Sequence, residues 1–234
     1  MNNKGVLYIV ATPIGNLDDI TMRAVTVLKT VDIVACEDTR HSGKLLNHLG
    51  IQTKKISYYD EVEAQRSGVL MAMLESGKSV ALISDAGTPG ISDPGYRVIQ
   101  KAVEAGISVI PVPGPSSILA ALVASGFATD RFTFEGFLPR KKGRRTRLEE
   151  LSSETRTMIL FESPVRLLKT LKDLASYFGD RRIAIGREMT KYYEEYIHGT
   201  IPEVIELFEK NVPRGEFVIV IEGLTRKLKK EYPG

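Results

Sequence analysis

Two carboxylates, Asp85 and Asp93, lie in a segment of unusual composition, residues 83–95, which holds three glycines and two prolines. Glycine permits positive φ and proline fixes φ, so this composition predicts a specific, non-repetitive backbone. An apolar strand is predicted just before it, at 79–83, and ligands in α/β proteins bind in loops at the carboxyl ends of strands. We therefore predict that Asp85 contacts a ligand, while Asp93 caps the next helix with Pro94 at its first position. A purely structural turn is the alternative.

Several common kinds of site are excluded by their missing motifs. The chain has no G-x-x-x-x-G-K-[ST] and no G-x-G-x-x-G after a strand, which argues against a P-loop and a dinucleotide site. It has no G-x-S-x-G nucleophile motif. The three histidines and the single cysteine lack the spacing of a metal site, so we expect no metal. Glycine- and proline-rich loops at residues 12–16, 84–95 and 113–117 remain, and such loops gather at one edge of a parallel sheet.

Positive charge is concentrated in one short segment. Residues 139–147 contain six basic side chains and no acidic one, and the rest of the chain has a net charge of −3 against +3 for the whole. A clustered basic run is typical of a surface that contacts phosphates. A solvated loop without a partner is the alternative. For the basic tail, residues 226–230, we expect only a frayed, solvated end.

The elements that position these loops come in a regular order. Apolar strands predicted near 6–11, 31–36, 54–58, 79–83 and 107–112 alternate with helices, which indicates βαβ units around a mostly parallel sheet. The second half of the chain has a different hydrophobic pattern, because the alternating run at 132–137 predicts a half-exposed antiparallel strand. We predict two α/β domains, residues 1–116 with a mostly parallel sheet and residues 117–234 with a mixed sheet. Predicted helix caps are Asp18 or Asp19, Asp60 with Glu63, and Thr200 with Glu203.

Composition places the chain among ordinary globular proteins, with 43% hydrophobic and 26% charged residues. No apolar run approaches the ~20 residues that a membrane span requires, and the first residues do not have the pattern of a signal peptide. A lone cysteine, Cys36, cannot form an internal disulfide and indicates a reducing compartment. We therefore expect a cytoplasmic protein.

Four ordered motifs, at residues 11–21, 36–40, 84–95 and 113–117, resemble a known family. They are similar to those of the 16S rRNA (cytidine-2'-O)-methyltransferases of the small ribosomal subunit, which belong to the tetrapyrrole methylase superfamily. The resemblance extends over residues 6–222. It implies two α/β domains, S-adenosylmethionine in the cleft between them, and a homodimer. The segment 57–63 departs from the family pattern, and we expect no RNA contacts from the C-terminal extension that some members carry.

The resemblance also assigns roles to individual residues. The positions that it implies for cofactor binding are Pro13, Asp85, Gly87, Thr88, Pro89, Ser116, Ser117, Phe161 and Ala184. For Phe161 and Ala184, ordinary core packing is the alternative. A carboxylate at Asp85 near a sulfonium cation is electrostatically reasonable.

The implied reaction is methyl transfer from S-adenosylmethionine to the 2'-hydroxyl of a cytidine in the decoding region of 16S rRNA. A general base would assist it, and the candidate catalytic residues are Glu37, Asp38, Glu188 and Lys191, each of which could instead hold a loop by ion pairing. The predicted RNA-contacting residues are Arg23, Arg40, Arg140, Lys141, Lys142, Arg144 and Arg145. The rival functions are methylation of a tetrapyrrole precursor and RNA binding without catalysis.

Overall fold

The computed structural model describes residues 4–224, apart from the side chain of Asp60. The basic tail at 226–230 lies outside the described residues. Contacts within the chain divide it between Ser116 and Ser117 into two compact units. Each unit contains one five-stranded sheet.

The first unit has a five-stranded sheet in which all strands are parallel, in the order β3-β2-β4-β1-β5. Because the strands are parallel, all their carboxyl ends lie at the same edge. Two short 3₁₀ turns occur, at Leu17–Asp19 and Asp60–Val62. The elements are β1 (Val6–Val10), α1 (Met22–Thr30), β2 (Ile33–Cys36), α2 (Thr39–His48), β3 (Lys55–Ser57), α3 (Glu63–Glu75), β4 (Val80–Ile83), α4 (Tyr96–Glu104) and β5 (Ser108–Val112).

Helices cover both faces of this sheet. Side chains of α3 and α4, such as Leu70 and Val98, pack on one face, and side chains of α1 and α2, such as Leu28 and Leu46, pack on the other. Burial on both faces explains why β2 and β4 are buried along their whole length and appear in the sequence as unbroken apolar runs.

The second unit has a mixed sheet in the order β6-β7-β10-β8-β9, in which β6 and β7 are parallel and the other pairs antiparallel. Helices α6, α7 and α8 pack on one face and α5 on the other. The two predicted sheets, one parallel and one mixed, are confirmed. The elements are α5 (Ser117–Ala124), β6 (Phe132–Phe137), α6 (Arg144–Ser152), β7 (Thr157–Glu162), α7 (Pro164–Phe178), β8 (Arg182–Arg187), β9 (Glu195–Thr200), α8 (Ile201–Lys210) and β10 (Phe217–Ile221).

The predicted direction of β6 was wrong, because this strand is parallel to β7. A helix, α6, connects the two strands, and a helical crossover returns the chain in the same direction. The alternating pattern arises because β6 is the terminal strand of its sheet, so most of its side chains are only partly buried.

Two of the predicted helix caps were also wrong. Helix α1 is capped by Thr21, whose Oγ1 accepts a hydrogen bond from Ala24 N at 3.1 Å, because Asp18 and Asp19 belong to the preceding 3₁₀ turn. Helix α3 has no side-chain cap, since a 3₁₀ turn at Asp60–Val62 runs directly into it.

The capping box of Thr200 and Glu203 at the start of α8 is confirmed. Among the helices of residues 4–224, none is long and apolar enough to cross a membrane.

Candidate functional site

The loop after β4 is fastened to the turn after β1, at the carboxyl edge of the parallel sheet. Thr12 N donates to Gly87 O at 2.9 Å, and Gly87 N donates to Thr12 O at 3.0 Å. The buried Thr12 hydroxyl donates to Ser84 O at 3.1 Å. The structure therefore brings together two segments that are far apart in the sequence, with Pro13 and Pro89 buried beside the junction.

Glycine is required at two positions of this loop. Gly87 is buried with φ +77°, a conformation that side-chain-bearing residues rarely adopt. At Gly95, with φ +150°, an added Cβ would lie 3.1 Å from Gly90 N and from the Leu82 side chain. The backbone thus folds back on itself tightly between Gly90 and Gly95, as the composition predicts.

Asp93 does not cap the helix after the loop, so that prediction was wrong. Helix α4 begins at Tyr96, and its N-cap is Gly95, which has no side chain to supply a hydrogen bond. A carboxylate from another helix takes this role. Glu63 Oε1 accepts hydrogen bonds from Gly95 N at 3.1 Å and Arg97 N at 3.4 Å, and Oε2 lies 3.1 Å from Arg97 Nε.

Sequence reasoning missed Glu63 as a residue that shapes the site. Its carboxylate also accepts a hydrogen bond from the buried hydroxyl of Tyr58 at 3.1 Å. Burial raises the pKa of Tyr58 to about 12, so this hydroxyl remains protonated and able to donate. No local pattern could reveal this role, because Gly95 is distant in the sequence.

Acidic side chains from two adjacent strand ends meet at the same edge. Asp38 N, just after β2, donates to Asp85 Oδ1 at 3.3 Å. Asp38 Oδ1 in turn caps α2 by accepting from Arg40 N at 2.7 Å and His41 N at 3.4 Å. The hydrogen bond from Arg40 N is the main cause that holds the pKa of Asp38 below its ordinary value. With Glu37, half-buried beside them, the edge gathers three carboxylates.

The loop after β5 approaches this edge as well. A Cβ added at Gly114 would lie 3.1 Å from Ala11 Cβ, so the segments after β5 and β1 are closely packed. Ser116 and Ser117 are both half-buried. Thr88 is half-buried within its loop.

The two predicted RNA-contacting arginines of the first unit are exposed. Arg23 Nη2 donates to Pro111 O at 3.0 Å, so this nitrogen of the guanidinium is already hydrogen-bonded within the protein. Arg40 has a side chain that is 91% exposed and lies 3.6 Å from Asp38 Oδ1. Surface pairs of this kind are weak and leave the charge available to a ligand.

In the second unit, Phe161 and Ala184 lie on the face of the sheet that α5 covers. The ring of Phe161 contacts those of Phe134 and Phe137 edge-on, with centroid distances of 4.9 and 5.7 Å. Ala184 is buried, and Val218 belongs to the same apolar cluster. Both residues therefore take part in core packing, whatever else they contact.

Glu188 and Lys191 are held in an ion-pair network. Lys191 Nζ lies 3.0 Å from Glu188 Oε1 and 2.9 Å from Glu216 Oε2, and Glu216 N donates to Glu188 Oε1 at 2.9 Å. Burial alone would raise the pKa of Glu188, but the bonds from Glu216 N and Lys191 outweigh it and lower that pKa. Burial likewise opposes protonation of Lys191, but its two carboxylate partners raise its pKa overall. This network fixes the turn after β8.

The basic segment divides into exposed and buried side chains. Arg140, Lys141 and Lys142 are exposed, and Arg145 is 83% exposed although it pairs with Glu149 at 2.7 Å. Arg144 is only 8% exposed, and its guanidinium is hydrogen-bonded to neighbours within the unit. We therefore exclude Arg144 from the phosphate-contacting set.

In the described part of the chain, no group of three or more histidine, cysteine, aspartate or glutamate residues is arranged to hold a metal ion. Cys36 is buried in β2, and burial raises the pKa of its thiol. A raised pKa keeps the thiol protonated and unreactive.

Comparison with known proteins identifies the family to which this chain belongs. The profile of the tetrapyrrole (corrin/porphyrin) methylases matches residues 6–205, and the chain belongs to this family. It is 53% identical to the ribosomal RNA small subunit methyltransferase I of Synechocystis, over 94% of this chain and 80% of that one. The enzyme of the same name from Thermotoga maritima is 47% identical, over 94% of this chain and 99% of its own. The predicted family resemblance is confirmed.

Solved structures of lower identity show the same fold. Cobalt precorrin-4 methyltransferase is 20% identical and superposes with a TM-score of 0.68, covering 93% of this chain and 94% of that chain. Uroporphyrin-III-C-methyltransferase from Thermus thermophilus is 22% identical with a TM-score of 0.62, at the same coverage.

Proposed function

We propose that this protein transfers a methyl group from S-adenosylmethionine to small-subunit ribosomal RNA, at the 2'-hydroxyl of a cytidine in the decoding region. The observation that carries the proposal is the loop of Asp85 in a chain of the methylase family. This loop is hydrogen-bonded to the turn after β1, and Asp85 lies beside two further carboxylates, Asp38 and Glu37. The names of the curated relatives support ribosomal RNA as the substrate. The identity of the methylated nucleotide, a cytidine, and of the acceptor group, its 2'-hydroxyl, is inferred from the resemblance of the sequence motifs to those of the family.

The residues at the sheet edge fit this cofactor. S-adenosylmethionine carries a sulfonium cation and several hydrogen-bonding groups, and it supplies a methyl group that a nucleophile can accept. Asp85, next to Asp38 and Glu37, provides negative charge that favours a cation. Gly87 and Thr88 belong to a loop whose backbone is held in place by Thr12, so its N–H and C=O groups are pre-oriented. Pro13 and Pro89 stiffen the same junction.

The protein contributes mainly by orienting the reacting groups, which supplies roughly 7–11 kcal/mol at best. Of the four predicted catalytic residues, we retain Glu37 as the candidate base. The pKa values of Asp38 and Glu188 lie below those of ordinary carboxyls, and that of Lys191 is raised, so none of these three is well suited to accept a proton. We propose that Asp38 instead positions Asp85 through the hydrogen bond from its backbone N–H.

The exposed part of the basic segment is the proposed RNA-contacting surface. It comprises Arg140, Lys141, Lys142 and Arg145, with Arg23 and Arg40 as further candidates on the first unit. Clustered exposed cations of this kind supply most of the affinity for a phosphate backbone. From the family resemblance we propose a homodimer, which sedimentation would test. From the lone cysteine we propose a reducing, cytoplasmic location.

One experiment tests both the substrate and the position of the methyl group. The protein is incubated with methyl-labelled S-adenosylmethionine and small ribosomal subunits, free 16S rRNA or tetrapyrrole precursors, and the RNA is then hydrolysed with alkali. A 2'-O-methyl group blocks cleavage at its own nucleotide, so the label is expected in an alkali-resistant dinucleotide that begins with cytidine. Label in mononucleotides would place the methyl group on a base, and label only in a tetrapyrrole would reject RNA as the substrate.

The RNA-contacting surface is tested in the same assay. Replacing Arg140, Lys141, Lys142 and Arg145 with glutamine should raise the KM for small subunits and flatten its salt dependence, while the affinity for S-adenosylmethionine stays unchanged. Unchanged methylation by this variant would contradict the role given to the segment.

A further inference from the structure

A pocket opens beside the basic segment in the second unit. Its volume is about 620 Å³, and it lies between the terminal strand β6 and the start of α6. This volume falls within the range of about 300–1,000 Å³ that is usual for small-molecule sites. Pro139 and Gly143 of the basic segment form part of its wall, so the pocket and the exposed cations are continuous.

One wall of the pocket is aromatic. Phe137 lies on β6 with 53% of its surface exposed, although it contacts Phe161 on the inner side. The exposed part of this ring is available to a planar group that stacks on it. Aromatic rings that adjoin exposed lysines and arginines are typical of proteins that bind single-stranded nucleic acid, where bases stack on the rings.

Polar side chains also line the pocket, and they are held by ion pairs. The side chain of Glu135 is 8% exposed, and its Oε2 accepts two hydrogen bonds from Arg147, one of them from Nε at 3.0 Å. Arg147 is fixed further by Glu150, at 2.8 Å. Both bonds go to Oε2, so Oε1 of this pocket-lining carboxylate keeps its capacity to accept a hydrogen bond. A carboxylate oxygen accepts a hydrogen bond from the exocyclic amino group of a base, whereas uracil presents a carbonyl there.

We propose that this pocket binds an unpaired nucleobase of the RNA substrate, stacked on Phe137 and recognised through its amino group by Glu135. Cytosine is the pyrimidine that fits this description. The inference rests on the proposed function for the identity of the RNA, but the binding of a base does not depend on catalysis. The cations of the adjoining segment hold the flanking phosphates.

Binding of short single-stranded oligocytidine and oligouridine tests the pocket directly, because the two probes have the same backbone charge. We expect the wild-type protein to bind oligocytidine more tightly. Phe137→Ala should weaken that binding by about 5- to 150-fold, the factor that one stacked base contributes. Phe137→Trp should retain it. Glu135→Gln, whose amide offers both a donor and an acceptor, should bring the ratio of the two affinities close to one.

Tyr192→Ala is the matched control, since Tyr192 is a 93% exposed aromatic residue outside the pocket, in the segment that joins β8 to β9. It should leave both affinities unchanged. Photo-cross-linking of wild-type protein to oligomers that carry 5-iodocytidine should label the peptide containing Phe137, and this readout requires no variant to fold. Labelling elsewhere, or an unchanged affinity in folded Phe137→Ala, would overturn the proposal.

Methylation by the wild-type protein separates this inference from the proposed function. If small subunits are methylated while Phe137→Ala changes neither their KM nor oligomer binding, the pocket assignment is refuted and the methyltransferase stands. If oligomers bind through Phe137 but no RNA is methylated, the pocket assignment stands and the proposed reaction is refuted.

Discussion

Two adjacent arginines, Arg144 and Arg145, should respond in opposite ways to the same substitution. Arg144 Nε donates to Asp173 Oδ2 at 2.7 Å, Nη2 donates to Thr170 Oγ1 at 2.9 Å and Nη1 donates to Pro139 O at 3.2 Å. The Arg145 side chain is 83% exposed and pairs with Glu149 on its own helix. We expect Arg144→Ala to lower stability and Arg145→Ala to lower RNA affinity.

The size of the stability effect depends on the surroundings of Arg144. Removing one partner of a buried ion pair costs about 3–5 kcal/mol, because the other charge is left without compensation. Asp173 keeps 33% of its side chain exposed and can regain water, so the loss falls at the lower end of that range. The two hydrogen bonds to uncharged acceptors add about 0.5–1.5 kcal/mol each, so we expect Arg144→Ala to lower the free energy of unfolding by about 4–6 kcal/mol.

Arg145→Ala should have little effect on unfolding, since exposed pairs along a helix contribute little. Its effect should appear in RNA binding. Removal of one phosphate contact reduces the slope of log K against log salt by about 0.7 for single-stranded RNA. Urea denaturation monitored by circular dichroism measures the first effect, and fluorescence anisotropy of a short RNA at several salt concentrations measures the second.

Arg144→Lys completes this test, because it keeps the positive charge but cannot reach all three acceptors with the planar geometry of a guanidinium. The Arg144→Lys variant should also be less stable than the wild type, and the salt dependence of its RNA binding should be that of the wild type. The reasoning would be refuted if Arg144→Ala retained its stability and flattened the salt dependence, since Arg144 would then be an RNA contact.

Three further substitutions test the loop at the sheet edge. Asp85→Ala should lower affinity for S-adenosylmethionine about tenfold or more, by calorimetry, while changing the unfolding free energy by less than about 1 kcal/mol; comparable losses in both would contradict a ligand role. Gly87 and Gly126 have φ of +77° and +73°, so Gly87→Ala and its control Gly126→Ala should each lower the free energy of unfolding by about 1–2 kcal/mol. Only Gly87→Ala should weaken cofactor binding. Glu63→Gln should destabilise the first unit by about 1–3 kcal/mol and speed proteolysis within residues 84–95, because Gly95 N and Arg97 lose a charged acceptor; an unchanged cleavage rate would contradict this.

The parts of the fold that were predictable are those in which burial determines the local sequence pattern. Strands β2 and β4 are covered on both faces, so they appear as unbroken apolar runs. Helices predicted between successive strands indicated a parallel sheet. The direction of β6 was not predictable from its own residues. An alternating pattern reports exposure of one face, and it is the same for a parallel and an antiparallel terminal strand.

The same limit applies to the candidate site. Glycine and proline reveal where the backbone must be unusual, and residues 83–95 indeed fold into a tightly constrained loop. The cap of α4 was misassigned, because it depends on Glu63, whose position in space no local pattern encodes. Arg144 was grouped with its exposed neighbours for a similar reason, since its partners Thr170 and Asp173 lie on another helix.

The two proposed tasks of this protein depend on different physical properties, and this makes them separable by mutation. The loop after β4 owes its shape to backbone geometry and to uncharged hydrogen bonds such as those of Thr12, and its carboxylates are half-buried, so salt should affect cofactor binding much less than RNA binding. The basic segment acts through exposed charges, which salt screens strongly. If the affinity for S-adenosylmethionine proved as salt-sensitive as RNA binding, the carboxylates around Asp85, rather than the fixed backbone, would dominate that site.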